Sequence, residues 1–345
     1  MDSYLFFFAG IAVALFTAYD LIYTTFAPRG AGFITGFVTT VVWHTLRTLY
    51  KITGRRLILR GTGPIIVCAT LLCWLLLLWA GHYMVMLADK KAVVDSTTNV
   101  EANDLQRVYY TGYMLSTMGN GDFKGGSDGW RIYAAVISFT GLTLITIAIS
   151  YMVPVISAVT ERRALCIRIR ALGETAEGII LNYWNGKDCK RLEDKFDALT
   201  EVISLQGQMH LSYPVLHYFH HGDKATALVP TLAVLDEALS IMLLYLPDDA
   251  KPGKQYLFPL RKSITVFLQT LNIVAENEQE TKAPPLETGR LRAQGVSLNV
   301  PEQGQLEQLD HRRKLLRSMI EHDCWDWYKE ADSPFKAKMD LPSLS

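Results

Sequence analysis

Long apolar runs fill the first half of the chain and shorter periodic ones the second, with the change near residue 160. Residues 3–27 are long and apolar enough to cross a hydrocarbon layer. Asp20 interrupts them; a carboxyl is costly in lipid, so it is expected to face protein, or to meet Arg29 or water near an interface. Pro28-Arg29-Gly30 breaks the helix. In residues 33–50, Val38, Val41, Val42, Leu46 and Leu49 recur at spacings of three and four, with His44, Arg47 and Lys51 close among them. That pattern predicts an amphipathic helix on the inner membrane surface, a further full span being the alternative. Residues 64–88 are the clearest span, with Trp79, His82 and Tyr83 toward its far end, where amphipathic rings favour the interface. A polar stretch, 89–103, leads to Asn103 or Asp104, either of which suits the cap of a short helix ending near Ser116. Phe123 to Asp128 reads as a glycine-rich loop, and Trp130 opens a last span running to about Val159.

Beyond it the apolar periodicity predicts helices near 162–183, 188–210, 224–246 and 257–277. Residues 182–187 and 247–253 are turn-like; 278–303, with Pro284-Pro285, Gly289, Gly295 and Pro301, form a linker; a final helix covers about 304–331. The expected organisation is an N-terminal span plus inner-surface helix (1–61), a membrane domain (62–160) and a helical cytoplasmic domain (161–345). No Gly-x-Gly-x-x-Gly follows a strand, so a nucleotide-binding domain is not indicated.

Charge orients this arrangement in a lipid bilayer. Lys+Arg and Asp+Glu are equal at 34 each, which gives no case for nucleic acid. Arg29, Arg47, Lys51, Arg55, Arg56 and Arg60 precede the second strong span, and Arg162, Arg163, Arg168 and Arg170 follow the last. Both sets belong in the cytoplasm, which places the N-terminus outside and the C-terminus inside a multi-pass membrane protein. The stretch between those spans is net acidic, which attracts cations to the outer side.

Candidate chemistry is sparse. The five cysteines show neither a disulfide framework nor ligand spacing, and Cys189 and Cys324 read as core residues. His210, His217, His220 and His221 cluster around Tyr213-Pro214, and His217 and His221 share a face if that stretch is helical. A metal or pH-sensing site there is the weaker reading against packing or surface roles, so no cofactor is expected. No catalytic set emerges, and the chain does not read as an enzyme.

The most informative stretch is Tyr109 to Asp122, which ends Thr117-Met118-Gly119-Asn120-Gly121-Asp122 between two spans. It resembles the pore helix and selectivity filter of the potassium-channel superfamily, whose usual filter reads Thr-Val-Gly-Tyr-Gly-Asp; the resemblance covers about residues 62–160. It implies an all-α membrane protein with a pore-loop channel fold: span, pore helix, filter, span. To these the chain adds an N-terminal span, an interfacial helix and the helical cytoplasmic domain. It also implies a homotetramer that conducts potassium or other monovalent cations passively through backbone carbonyl rings. Asn120 replaces the usual aromatic brace, and Met118 the usual valine. Potassium preference is therefore weighed against non-selective monovalent conduction, and against a non-conducting receptor or scaffold. Asn120 is placed to hydrogen-bond the pore helix or the outer loop instead. Gly141 resembles the family's hinge glycine, and Pro154 is placed to kink the last span, so both are gating candidates under the influence of the cytoplasmic domain. An unspecified cytoplasmic ligand or protein partner stays open. No Arg-rich membrane helix is present, so steep voltage gating is not expected.

Overall fold

A computed structural model describes residues 2–27, 31–55, 57–219, 226–272, 283, 285–322, 325 and 327. Among the described residues the fold is all-α apart from one two-stranded sheet. It divides into two compact units, the first comprising 1–53, 62–156 and 212–218, the second 54–61, 157–211 and 219–345.

Among the described residues three helices are long and apolar enough to cross a membrane: α1 (Asp2–Phe26), α4 (Thr62–Met86) and α6 (Asp128–Leu172). Only 28%, 33% and 22% of their most apolar windows are buried within the chain. Leu15, Phe139, Ile149 and Val153 lie on the exposed remainder, which needs another apolar medium. Between α1 and α4 runs α2 (Phe33–Thr53), which is not among the three.

Asp20 ties these elements together. Its carboxylate is 1% exposed and accepts from Ile34 N–H (2.7 Å), Thr35 N–H (3.3 Å), Thr35 Oγ1–H (2.9 Å) and Trp74 Nε1–H (2.9 Å). The acid of α1 thus serves the orphan donors at the start of α2 and the indole of α4, where partial positive charge gathers. Its partners are protein groups, as the cost of a carboxyl in lipid demands; Arg29 lies outside the described residues.

Between α4 and α6 the polar stretch is more ordered than its composition suggests. Residues Val93–Asp95 (β1) pair antiparallel with Phe123–Gly125 (β2), where a polar stretch and a glycine-rich loop were expected. Val93 and Val94 are the buried strand formers in a segment too short to show alternation. The helix between the strands, α5 (Asp104–Leu115), is considered below.

In the second unit α6 continues to Leu172, followed by α7 (Ala176–Tyr183), α8 (Glu193–Ser212), α9 (Leu228–Leu244), α10 (Lys254–Asn272), α11 (Gly289–Ala293) and α12 (Gln303–His322); a short α3 (Leu57–Arg60) precedes α4. The expected 162–183 helix is split after Leu172, and Thr175 caps the new start by accepting from Gly178 N–H. The core joins Leu165 and Ile169 of α6, Ile179 of α7, Phe196 of α8, Leu239 of α9, Phe267 of α10 and Leu316 of α12. Cys189 is fully buried, and burial pushes its thiol up to about 12, which makes it a core residue and a poor nucleophile. The expected linker is partly organised: Glu177 accepts from Arg290 N–H and Leu291 N–H at the start of α11. Residues 278–282 and 284 of that linker, Cys324, and most of the final helix beyond His322 lie outside the described residues.

Candidate functional site

The site is built on α5. Its start carries a reciprocal cap, with Asn103 Oδ1 accepting from Gln106 N–H (2.9 Å) and Gln106 Oε1 accepting from Asn103 N–H (2.8 Å). Arg107 is buried and spends its guanidinium on the carbonyls of Ala102 (3.1 Å) and Lys90 (2.8 Å). Trp79 of α4 donates to the Val108 carbonyl at 3.0 Å. Helix α5 is therefore held at its start, middle and flank before the loop begins.

Its end is closed by two backbone bonds, Thr117 N–H to Met114 O and Met118 N–H to Tyr113 O, each 3.0 Å. This six-residue closure needs a left-handed residue, usually glycine, and here it is Thr117 at φ 61°. Gly119 and Gly121 follow at φ 60° and 84°, while Met118 and Asn120 are not in the positive region. Left-handed and ordinary residues therefore alternate from 117 to 121. Met118 is 66% exposed, and Asn120 and Asp122 are also exposed.

Three hydrogen bonds and two ring contacts fix that loop and its support. Asn120 Nδ2–H donates to the Tyr109 hydroxyl oxygen at 2.6 Å. Tyr113 O–H donates to Phe123 O at 2.9 Å, and Ser96 N–H to Asp122 O at 2.9 Å. The Tyr109 ring stands edge-on to Tyr113 (5.1 Å) and Phe123 (6.3 Å). Tyr109 and Tyr113 thus carry the support of the loop, although the sequence reading did not single them out. The available signal was two tyrosines four residues apart on one face of a short helix, ahead of a loop lacking its usual aromatic.

The other sequence candidates separate. Gly141 lies against the end of α5, where a Cβ would overlap the Leu115 carbonyl oxygen. Pro154 sits inside an unbroken α6. The hydroxyls of Thr140, Thr143 and Thr146 back-bond to carbonyls four residues earlier. His217 lies in a short 3-10 helix, Pro214–Tyr218, while His220 and His221 are outside the described residues. Among the described residues no group of three or more His, Cys, Asp or Glu is arranged to hold a metal.

Comparison with known proteins converges on the same stretch. Residues 69–158 match the family model described as an ion channel. The family so matched is one of pore-loop ion channels. The match begins within α4, takes in α5 and the 117–122 loop, and ends within α6. The whole chain is similar to an uncharacterized membrane protein, YdjJ, of Bacillus subtilis (strain 168), at 27% identity over 323 residues, covering 92% of this chain and 94% of the relative. No solved structure matches.

Proposed function

We propose that the protein is a passive, homotetrameric cation channel with potassium preference, and that Thr117 to Asp122 line its filter. The observation that carries this reading is the bond from Asn120 to Tyr109. A filter without its usual aromatic needs another brace, and this bond joins the loop to α5, the pore helix of this reading. The alternation of positive-φ and ordinary residues at 117–121 supports it too, because a backbone that alternates in this way can turn its successive N–H groups to one side and its carbonyls to the other. One chain supplies one row of oxygens; replacing a hydration shell takes a ring, hence four copies. The C-terminal end of α5 favours a cation beneath the loop. The basic segments orient the N-terminus outside and residues 161–345 inside, with domains at 1–61, 62–160 and 161–345. Gating enters through α6, which runs without a break from the membrane window into the second unit.

Non-selective monovalent conduction is the second reading, favoured by the exposed Met118 and the short Asn120. Mass measurement in mild detergent, paired with current recording after reconstitution, tests assembly and conduction together. The expected result is a particle of four chains that passes monovalent cations. A monomer or dimer, or four chains that pass no cation current, would overturn the proposal.

A further inference from the structure

Residues 212–218 lie in sequence between two stretches of the second unit, yet they are part of the first. The short Pro214–Tyr218 helix buries Val215 and Leu216. The ring just before it and the ring at its last position each engage a different element of the first unit. Tyr213 meets Tyr151 of α6 edge-on, with centroids 5.7 Å apart, and Tyr218 meets Trp43 of α2 at 5.4 Å. Both receiving residues are buried, Tyr151 at 9% exposure and Trp43 at 6%. The Arg47 guanidinium lies over the Trp43 ring, 5.9 Å from its centroid.

The place where Tyr213 lands gives the contact its interest. Tyr151 precedes Pro154 by three residues on one face of α6. Pro154 has no N–H to give the Ser150 carbonyl, so the turn from 150 to 154 is the one with a backbone bond missing. A lateral contact on that turn acts where α6 bends most easily. The arm's ends are covalently continuous with α8 at Leu211 and with the chain at Phe219, both in the second unit.

Resting on the channel reading above, we infer that residues 212–218 are a coupling arm, which passes conformational changes of the second unit to α6 through Tyr213–Tyr151 and is steadied on α2 through Tyr218–Trp43. The arm works beside the direct continuation of α6, and it holds the weak turn in the conformation seen here. An edge-to-face aromatic pair shifts a two-state equilibrium by about two- to tenfold.

The test uses the full chain reconstituted in bilayers, with Tyr151→Ala, Tyr213→Ala, the double variant and the ring-preserving Tyr213→Phe. Each alanine variant should change open probability two- to tenfold in the same direction. The double should match a single, Tyr213→Phe should behave as native, and the reversal potential should stay unchanged. Hydrogen exchange of 212–218 in detergent should be faster in Tyr151→Ala than in native protein. Multiplying effects in the double, or unchanged open probability in conducting alanine variants, would overturn the coupling role. Exchange that stays native in Tyr151→Ala would overturn the docked arm itself. A native protein without current would overturn the channel reading and the coupling role together.

Discussion

Thr117 occupies a backbone conformation that β-branched residues avoid, at φ 61°, and such positions cost about 1–3 kcal/mol. A glycine would close α5 more cheaply, but it would lack the hydroxyl that Thr117 can add to the oxygens of the proposed filter. The strain is offset by the Tyr113, Asn120 and Ser96 contacts around the loop. Gly141 answers a different demand. Its position against the Leu115 carbonyl makes close packing on α5 a sufficient reason for a glycine, independent of any hinge. Gly141→Ala should therefore destabilise the protein by roughly 1–3 kcal/mol through overpacking. Thermal unfolding in detergent reads this as a lower midpoint. An unchanged midpoint with altered gating would instead favour the hinge.

At the scale of elements, α12 shows how the second unit is fastened. Asp236 on α9 is 1% exposed on its side chain and meets Arg312 of α12 at 2.6 Å and Arg261 of α10 at 2.8 Å. Arg312 also donates to Thr265, and Arg313 pairs with Glu237. Removing Asp236 leaves two guanidiniums without their carboxylate in a largely buried place, which costs about 3–5 kcal/mol. Asp236→Ala should lower the unfolding midpoint far more than the exposed Asp128→Ala, whose partner Arg131 is also exposed. Equal effects would show that the α9–α12 clasp does not hold the unit together.

The elements were legible in the sequence to unequal degrees. Helices α1 and α4, α6 as far as about Val159, and a cap of α5 at Asn103 or Asp104 follow from long apolar runs and a local polar signal; the structure uses Asn103 and carries α6 on to Leu172. Strands β1 and β2 did not, because three residues carry no period and their pairing spans thirty positions. The break after Leu172 was hidden for a related reason: Gly173 and Thr175 interrupt an apolar pattern that continues on both sides. At the site, Thr117 to Asp122 were visible as a motif, and a bond from Asn120 to the pore helix or outer loop was expected. That the partner is Tyr109 was not, since choosing among neighbouring aromatics needs the geometry of the loop. The fate of residues 212–218 was equally hidden, because a Tyr-Pro turn amid histidines says nothing about which unit receives it.

For the whole molecule, three membrane-length helices with largely uncovered faces and an ion-channel segment over 69–158 fit one account. The central claim is that the Asn120–Tyr109 bond substitutes for an aromatic brace and preserves potassium preference. The most direct measurement is the reversal potential of the reconstituted protein between potassium and sodium solutions, for native protein and Tyr109→Phe. Phenylalanine keeps the ring against Tyr113 and Phe123 and removes only the hydroxyl that accepts from Asn120. One such bond is worth about 0.5–1.5 kcal/mol, a roughly two- to tenfold change in permeability ratio. The account predicts native reversal close to the potassium potential and a shift toward zero in Tyr109→Phe. Native reversal at zero, or a Tyr109→Phe channel as selective as the native one, would contradict it.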